Sequence, residues 1–428
     1  MQNRMAFFFA QNLIVTKKYV IFVSNYTVGI GGMLLHPNIQ MRVLFVTRGF
    51  PSKEDPMSGN YEAVQAKAIA AKGHDVSVIA IKWKNPLHIL EFNKVNHRVV
   101  DGIHIYECIR IMMSIPHIFI PKLERWVRQR QFLGVFRRYM KERGMPDVVH
   151  AHMILYASPA MVLKEKYQLP VVITEHWSQM NKENTHKRIM NDTFSYFQAD
   201  KVICVSDALA ESVKKKCHVD SIVIHNMVSD QFFESQKIKH QEGSFKFVAI
   251  GALRFDKRFD LLVDAFYLCH FPNHVSLEIV GDGKERPLIE SKIKQYHLEQ
   301  QVKLVGVKSP EEVNALLSHS DCFVLSSRIE TFAIVLIEAM AKGLPVVATR
   351  CGGPETFVRS EDGILVPKEN VEELAMAMTY MKDHYQEYDA EEIRQHCHDN
   401  FSQDVIADKI IEVYKQAMSS PRQDPVGG

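Results

Sequence analysis

Paired cysteines are absent from the sequence: its seven cysteines are odd in number and scattered, without any C-x-x-C pair. This pattern excludes a disulfide framework and a cysteine-ligated zinc site, and it fits a reducing cytoplasm. An excess of positive charge is absent too, because 52 Lys and Arg residues stand against 50 Asp and Glu residues. Proteins that bind nucleic acid through its phosphates need such an excess, so we expect no nucleic-acid partner.

A dinucleotide-binding fingerprint is also missing. No G-x-G-x-x-G follows the first predicted strand, residues 41–47, which disfavours a dinucleotide-dependent dehydrogenase. The chain does have length and apolar content. With 428 residues, 46% of them hydrophobic, it can build two or three domains with large cores, and wholesale disorder is excluded.

Residues 1–40 differ from the rest of the chain, because they contain three bases and no acid. Their second apolar run, residues 19–35, is interrupted by polar residues and glycines and would make a poor membrane-spanning helix. Since Met41 opens a strand-like run, we predict that Met41 is the natural start and that residues 1–40 are a non-native extension. A membrane-associating tail is the alternative.

From Met41 onward, short β-branched runs alternate with helical patterns, which is typical of parallel sheets covered on both faces. The predicted strands of a first series are residues 41–47, 76–81, 103–108, 147–150, 171–174, 202–205 and 222–225. Those of a second series are residues 246–250, 275–280, 302–305, 322–326 and 345–349. Two such series predict an α/β protein with two doubly wound, Rossmann-like domains that face each other across a cleft.

The predicted boundaries follow from these two series. Residues 41–228 form the N-terminal domain, residues 229–244 a polar linker and residues 245–400 the C-terminal domain. A helix at 401–418 packs back on the N-terminal domain, and the polar tail 419–428 frays. Ligands of open α/β sheets bind where strands end and helices begin, and helix N-termini attract phosphates. We therefore expect an enzyme that handles an anionic substrate bearing a nucleotide.

The most informative stretch runs from Ser327 to Thr349. Glu330 falls in the loop after a predicted strand, and residues 332–342 have the pattern of a mostly apolar, buried helix. Glu338 is the only acid inside that helix. A buried carboxylate needs partners. A Glu at the helix rim, solvated or bonded to a lysine, and a carboxylate that accepts hydrogen bonds from sugar hydroxyls fit the pattern equally well.

Glu330 and Glu338 form the E-x7-E pattern of retaining glycosyltransferases with the GT-B fold. Together with the G-G-P-E turn at residues 352–355, this region resembles family 4 of these enzymes, and the resemblance covers most of residues 41–400. It implies a GT-B fold with an acceptor-side N-terminal domain and a C-terminal domain that binds the nucleotide sugar. It also implies that Glu330 contacts the donor sugar and that Glu338 holds the nucleotide ribose.

The same resemblance implies that the amides of Thr331, Phe332 and Ala333, at the helix start, face the donor phosphates. No acidic pair resembles the D-x-D metal motif of the other large fold class of glycosyltransferases. We therefore expect no metal and no cofactor, with a nucleotide-diphosphate sugar as the donor substrate.

A basic loop follows the strand at 246–250. Family members commonly carry an Arg directly after the loop's Gly and a Lys-Gly pair further on. This chain has Ala252 in place of that Arg and Arg258 in place of the second Gly, whereas Lys257 matches. The resemblance assigns Lys257 to the donor diphosphate, and Arg254 is the candidate for the missing guanidinium. The alternative is a solvated loop with exposed bases.

Two glycine positions are donor-binding candidates by the same resemblance. Gly281, with Gly283 close by, follows a predicted strand at the place of the family's nucleotide-side loop. Gly59 is the one glycine left in a loop where the family usually has two. Each could equally be a turn residue that needs a positive φ or only shapes its loop.

Two histidines end neighbouring predicted strands. His152 belongs to an H-x-H pattern and His176 to a T-x-H pattern, and family members match both. Imidazoles at strand ends point into the cleft, where they could assist proton transfer or bond a sugar hydroxyl. We predict catalytic roles for His152, His176 and Glu330, with His152 nearer to the reacting centre. Packed, hydrogen-bonded histidines are the alternative.

Residues 121–144 form a long helical pattern with eight bases against two acids. Trp126, Leu133, Phe136 and Met140 make one stripe at helical spacing. Packing of this stripe on the protein's own sheet is one interpretation. A basic amphipathic helix on anionic lipid is the other, which would place a cytoplasmic protein peripherally on the inner face of the plasma membrane.

These observations together predict a retaining, metal-independent glycosyltransferase of the hexosyltransferase type. It would move a sugar from a nucleotide-diphosphate donor to a hydroxyl of a glycan or lipid-linked acceptor, in surface polysaccharide synthesis. A nucleotide-sugar 2-epimerase and a catalytically silent protein of the same fold are the alternatives, the latter because of Ala252 and the single Gly59.

Overall fold

The computed structural model describes residues 40–53, 55, 58–111, 121–177, 180, 190–234 and 243–419. The predicted extension at residues 1–40, except its last residue, lies outside the described residues. The same holds for the middle of the predicted linker and for residues 420–428 of the predicted tail.

The described residues form a first sheet of eight strands, in the order β3-β4-β2-β1-β5-β6-β7-β8. Its strands are β1 (Arg42–Thr47), β2 (Asp75–Lys84), β3 (Asn96–Val100), β4 (Ile103–Ile111), β5 (Val148–His152), β6 (Val171–Glu175), β7 (Lys201–Cys204) and β8 (Ile222–Val223). All neighbours pair in parallel except β3 and β4. In the central strand β1 every residue after Arg42 is buried, because helices cover both faces of the sheet.

The second sheet has six parallel strands in the order β11-β10-β9-β12-β13-β14. They are β9 (Phe245–Ile250), β10 (Val275–Val280), β11 (Val302–Gly306), β12 (Cys322–Leu325), β13 (Val346–Arg350) and β14 (Gly363–Pro367). This is the strand order of a Rossmann domain, with its topological switch point between β9 and β12. Ligands of such sheets bind outside the carboxyl ends of the strands at that point.

Helices connect the strands of both sheets. Those of the first half are α1 (Asn60–Ala71), α2 (Pro121–Arg143), α3 (Ile154–Tyr167), α4 (Phe194–Gln198), α5 (Asp207–Cys217) and α6 (Gln231–Glu234). Those of the second half are α7 (Phe259–Leu268), α8 (Arg286–Gln295), α9 (Pro310–Ser318), α10 (Ile334–Ala341), α11 (Val371–His384), α12 (Ala390–Phe401) and α13 (Gln403–Ser419).

The two-series α/β prediction is confirmed, and every predicted strand is present with small shifts at its ends. Two strands were missed. β3 carries polar residues and joins β4 through a tight turn at Asp101 and Gly102, both with positive φ, so it lacks an apolar run. β14 begins with Gly363 and ends with Pro367 at the edge of its sheet, where composition indicates a turn instead.

Helix α13 packs against the strands of the first sheet although it follows the second domain in sequence. Ile406, Ile410 and Tyr414 belong to the same buried cluster as residues of β1 and β2. Lys72, just after α1, pairs with Asp404 on α13 at 2.5 Å. The chain therefore crosses between the domains a second time at Phe401 and Ser402.

In helix α2 the predicted apolar stripe is only partly buried. Leu133 and Phe136 are buried in the first domain's core, and Met140 packs at its margin. Trp126 is 51% exposed, so the interpretation that the whole stripe packs on the protein's own sheet does not hold for this residue. It lies in the first turns of the helix, where the guanidinium of Arg130 sits 4.5 Å from its ring centroid.

Candidate active site

The carboxyl edge of the second sheet brings Lys257 and Glu330 together. Glu330 lies in the loop after β12 and is only 8% exposed. Its Oε1 accepts hydrogen bonds from Lys257 Nζ at 2.5 Å and from Ser327 Oγ at 2.7 Å. Its backbone N–H donates to the carbonyl of Cys351 at 3.0 Å. Because parallel strands end at the same edge, two loops remote in sequence are joined by a nearly buried ion pair.

Glu338 lies on α10 with a half-buried side chain. Burial raises the pKa of its carboxyl to about 7. No hydrogen bond or ion pair joins this carboxylate to another residue in the part of the chain that the structure describes. The lysine partner considered above is therefore absent there, and the role of Glu338 toward a ribose stays a prediction.

The loop before α10 has an unusual backbone. Ala333, the residue before the helix, has φ 68° and ψ 68°, a left-handed conformation that costs a residue with a Cβ free energy. No side chain caps this helix start. The predicted phosphate-facing residues Thr331, Phe332 and Ala333 thus lie at a helix N-terminus that no side chain caps, and such a terminus attracts anions.

The side chain of Phe332 is buried, away from solvent. Its ring stacks on His225 of the first domain at 5.1 Å and contacts Phe357 at 4.9 Å between ring centroids. Gly353 of the G-G-P-E turn packs directly on this loop, because a Cβ added there would lie 2.8 Å from Cα of Phe332. Only the backbone of Phe332 remains for a ligand contact, and its ring fixes the loop instead.

The basic loop after β9 contains two arginines, and they differ in whether an acid of the protein pairs with them. Arg258 has φ 51° and pairs with Asp260 at 3.0 Å and with Glu369 at 2.6 Å. It thus adopts the left-handed backbone that a glycine at this place would adopt, and its charge is already paired. Arg254 is exposed, and its guanidinium has no partner among the described residues. Of the two, Arg254 is the one available to an anion.

The two candidate glycine loops owe their glycines to close packing. Gly281 has φ 134°, and a Cβ there would lie 1.9 Å from the carbonyl oxygen of Gly251. Gly59 has φ 67°, and a Cβ there would lie 2.0 Å from the carbonyl oxygen of Gly49. Backbone geometry alone therefore requires both glycines, and a donor contact at either stays a prediction.

Tyr61 at the start of α1 was missed by the sequence analysis. Burial raises the pKa of its hydroxyl, and the charges of Glu338 and Glu330 raise it further. The phenol of the first domain therefore lies within electrostatic reach of both acids of the second. A tyrosine in the first turn of a helix gives no sequence signal for such a position, since it depends on how the two sheets face each other.

His152 and His176 are neighbours, as the ends of β5 and β6 predict. His152 Nδ1 and His176 Nε2 lie 3.1 Å apart, and the rings stack at 5.4 Å. His152 is fully buried against Phe45, and its Nε2 has no hydrogen-bond partner. His176 is half-buried. The expectation that both imidazoles open into the cleft is therefore wrong for His152, because the ring of Phe45 and the imidazole of His176 cover it.

Burial keeps both imidazoles neutral. It lowers the pKa of His176 to about 4, against an opposing interaction with Asn226 and with a further lowering by the charge of Arg48. The pKa of His152 is also well below its usual range, because of burial and of the neighbouring imidazoles. These groups can thus donate or accept one hydrogen bond at neutral pH but carry no charge.

Glu175, between Thr174 and His176, anchors this strand end. It is fully buried and accepts hydrogen bonds from the backbone N–H groups of Ile154, His176 and Trp177 and from the hydroxyl of Tyr196. Its role is to hold the backbone on which His176 stands. The spacing of the T-x-H pattern gave no signal for this middle residue.

In the described part of the chain, no group of three or more His, Cys, Asp or Glu residues could hold a metal ion. No helix there is both long and apolar enough to cross a membrane.

Two facing Rossmann-like units, with acids and bases gathered at the carboxyl edges of their sheets, define a GT-B glycosyltransferase fold. Comparison with known proteins identifies the family. The family model described as "Glycosyltransferase Family 4" matches residues 60–232, and the model described as "Glycosyl transferases group 1" matches residues 230–395. The chain belongs to the family 4 glycosyltransferases and is a glycosyltransferase enzyme.

Several known proteins are similar to it. An uncharacterized glycosyltransferase of Methanocaldococcus jannaschii is 31% identical over 53% of this chain, which spans 63% of that relative's length. A Bacillus subtilis glycosyltransferase, TuaC, proposed to act in teichuronic acid biosynthesis, is 27% identical over 79% of this chain and 88% of its own length. The Anabaena protein Alr3699/HepE, solved with UDP and glucose, has a TM-score of 0.65 at 19% identity, covering 88% of this chain and 99% of its own.

Proposed function

We propose that the protein is a retaining, metal-independent enzyme that transfers a sugar from a nucleotide-diphosphate donor to a hydroxyl acceptor. The carrying observation is the pair Lys257–Glu330, with Glu338 on the helix that follows Glu330 and with Tyr61 under the electrostatic influence of both acids. This arrangement offers positive charge to a diphosphate and carboxylates to the hydroxyls of two sugars. UDP in the structure of Alr3699/HepE supports a nucleotide donor for this fold.

In this proposal the donor lies along the edge of the second sheet. Lys257 and Arg254 neutralise the diphosphate, helped by the amides of Thr331–Ala333, and Glu338 accepts hydrogen bonds from the ribose. Glu330 accepts hydrogen bonds from the donor sugar. As the bond from the anomeric carbon to the phosphate oxygen breaks, the acceptor hydroxyl attacks from the same face, and the leaving phosphate takes its proton.

His176 contributes on the acceptor side. As a neutral imidazole at the end of β6 it can accept a hydrogen bond from the attacking hydroxyl or donate one to a neighbouring oxygen. His152 lies behind it and holds its Nε2 at 3.1 Å. We therefore assign contact with substrate to His176 and a positioning role to His152.

The proposed acceptor is a growing surface glycan or its lipid carrier. The exposed face of helix α2 supports this proposal. Its bases Arg125, Arg128, Arg138 and Arg143 are bonded within the protein. Its other four bases are exposed: Lys122, Arg130, Arg137 and Lys141. Leu123 and Trp126 on the same helix are 43% and 51% exposed. Such a face suits peripheral binding to the inner surface of the plasma membrane.

The test is a screen of nucleotides and nucleotide sugars for protection against thermal unfolding, followed by a transfer assay with the best donor. Binding of a nucleoside diphosphate raises the unfolding temperature through mass action. Failure of every nucleotide to protect the protein would overturn the proposal. Release of a free epimerised nucleotide sugar, without any acceptor, would instead identify an epimerase.

A further inference from the structure

Arg48 lies at the carboxyl end of the first sheet and has no role in the donor site proposed for the second domain. It directly follows β1, the strand that lies between β2 and β5. In the register of β1 and β5, Val46 lies opposite Ala151, so Thr47 comes level with His152. His152 in turn lies opposite Thr174 on β6. Arg48 and His176 therefore lie at the same edge of the sheet.

Electrostatics agree with this placement. The charge of Arg48 lowers the pKa of His176, and it also lowers those of the hydroxyls of Tyr61 and Tyr156 against the larger effect of burial. Three side chains from α1, α3 and the end of β6 therefore share the field of one guanidinium. Tyr61 also feels the donor-side acids Glu330 and Glu338.

The guanidinium of Arg48 has one ion-pair partner among the described residues, Glu62. Its side chain is 48% exposed, and its Nε lies 3.9 Å from Oε1 of Glu62, whose own side chain is 5% exposed. Among the described residues no group accepts a hydrogen bond from Arg48, and the second oxygen of Glu62, Oε2, is buried without a partner. Glu62 therefore lies on the Nε side of the guanidinium, and none of the described residues accepts a hydrogen bond from its two terminal amino groups.

Hydrogen bonds from side chains hold the backbone of the loop that carries Arg48. Thr47 Oγ1 donates to the carbonyl of Gly49 at 2.7 Å. Arg98 donates to the carbonyl of Pro51 at 2.8 Å and is itself paired with Glu107 at 3.1 Å. The backbone that carries Arg48 is therefore already ordered before a ligand binds. The planar pair of amino groups of Arg48 matches the two oxygens of a carboxylate or a phosphate.

The charge of Arg48 lowers the pKa of two described acids, Asp55 and Glu62. Asp55 is already paired with Lys82 at 2.7 Å. Burial raises the pKa of Glu62, which weakens its competition for the guanidinium. On the opposite wall, the diphosphate-binding positions proposed above have Lys257 and Arg254. Because these two cations suffice for the donor diphosphate, Arg48 in the first domain is available to a different anion.

We propose that Arg48 selects an acceptor that carries a negative charge, either a carboxylate or a phosphate, close to the accepting hydroxyl. Glu62 is its positioning residue. This inference rests on the proposed function, since it names the acceptor class of the same reaction. It predicts a preference for acidic sugars over neutral ones that is set in the first domain alone.

The test measures binding of three probes to the full chain by ligand-observed NMR: methyl β-D-glucuronide, glucose 6-phosphate and neutral methyl β-D-glucoside. We expect at least one acidic probe to bind about tenfold more tightly than the glucoside, as one charge-assisted contact allows. The probe that shows the preference tells carboxylate from phosphate. Equal binding of all three, or binding of none at high millimolar concentration, would overturn the inference.

Variants separate this site from the donor site. Arg48→Gln is expected to abolish the acidic preference, and Arg48→Lys to keep part of it, while affinity for UDP or GDP stays unchanged. Lys166→Gln, which removes an exposed charge at the far end of α3, is the matched control and keeps the preference. A loss of nucleotide affinity in Arg48→Gln equal to the loss for the acidic probe would assign Arg48 to the donor and overturn the inference.

The two proposals fail differently. If the glycosyl-transfer proposal is wrong, either no nucleotide raises the unfolding temperature of the natural protein and of Arg48→Gln, or both release an epimerised nucleotide sugar without any acceptor. If only the acceptor inference is wrong, nucleotide protection persists and the preference for acidic probes is missing. Circular dichroism and the unfolding temperature show whether each variant is folded.

Discussion

Nζ of Lys257 lies 2.5 Å from Oε1 of Glu330, with the two side chains 16% and 11% exposed. The cation proposed for the donor diphosphate and the carboxylate proposed for the donor sugar thus hold each other in place. Such a pair costs desolvation, and its removal from one side leaves a nearly buried charge without its counterpart. Stability and donor handling are therefore coupled at these two residues.

Replacement of Lys257 tests this coupling. Lys257→Ala is expected to abolish donor turnover and to lower the free energy of unfolding by about 1–3 kcal/mol, because among the described side chains Glu330 then keeps only Ser327 as a partner. Urea unfolding and a transfer assay measure the two effects. The double variant Lys257→Ala/Glu330→Gln should regain stability without regaining turnover.

Lys308→Ala is the control for that experiment, since Lys308 pairs with Glu312 on the surface at 3.0 Å. Its effect on stability should stay below about 1 kcal/mol. Full turnover by Lys257→Ala would contradict the assignment of Lys257 to the donor site.

The raised pKa of Glu338, about 7, gives stability a definite pH dependence. The folded protein binds this proton more tightly than the unfolded chain, so the contribution of Glu338 is most favourable at low pH and is lost as pH rises toward 7. Between about pH 5 and pH 8 the natural protein should lose about 1–2 kcal/mol of stability relative to Glu338→Gln. Urea unfolding of both proteins across this range measures the difference.

The affinity for the donor should rise with pH, whereas the stability contribution of Glu338 falls with pH. The ionised carboxylate is the stronger hydrogen-bond acceptor, so affinity for the nucleotide sugar identified in the screen should rise through pH 7 in the natural protein. The same titration of Glu338→Gln should be flat. Parallel curves for the two proteins would remove Glu338 from the ribose site.

Ala333 tests the strained loop. Its φ of 68° is easy for glycine, so Ala333→Gly is expected to raise the free energy of unfolding by up to about 1 kcal/mol, after the entropy cost of glycine is subtracted. Ala315→Gly, on the exposed side of α9, should instead destabilise by about 1 kcal/mol, since glycine weakens an ordinary helix. If both substitutions destabilise equally, the backbone of Ala333 carries no strain.

The two histidines should separate in their kinetics. His176→Ala is expected to lower the rate of transfer by about tenfold to a hundredfold, without changing the nucleotide-induced gain in thermal stability, because it contacts only the acceptor. His152→Gln should lower the rate of transfer less, because it changes only the position of His176, which is still present. Single-turnover transfer measures both. A larger loss in His152→Gln would restore His152 as the residue nearer to the reacting centre.

Membrane binding through α2 is tested by co-sedimentation with vesicles that contain phosphatidylglycerol. Each exposed base near an anionic surface contributes about 1 kcal/mol, so Gln at Lys122, Arg130, Arg137 and Lys141 together should release the protein at low salt. Gln at Lys214 and Lys215, exposed bases of α5, is the matched control. No binding of the natural protein at low salt would remove the membrane from the proposal.

Much of the fold could be predicted because parallel strands buried on both faces have continuous apolar runs. The runs at β1 and β9 identified both domains, and alternation with helical patterns gave their winding. Two of the four edge strands, β3 and β14, escaped prediction, since they bury one face or less and end at turn residues. The exposure of Trp126 could not be predicted either, because helical spacing shows that apolar residues share one face but not which neighbouring elements bury that face.

At the candidate site, the sequence by itself determined which residue types end each strand, and the family pattern then singled out Glu330, Glu338 and Lys257. Only the tertiary structure decided that Lys257 meets Glu330, that His152 is buried behind His176, and that Arg48 and Tyr61 share the cleft with them. The physical reason is that a strand fixes its own residues, whereas contacts among strand ends depend on sheet order and on how two domains face each other. Those relations join residues far apart in the chain, and no local pattern encodes them.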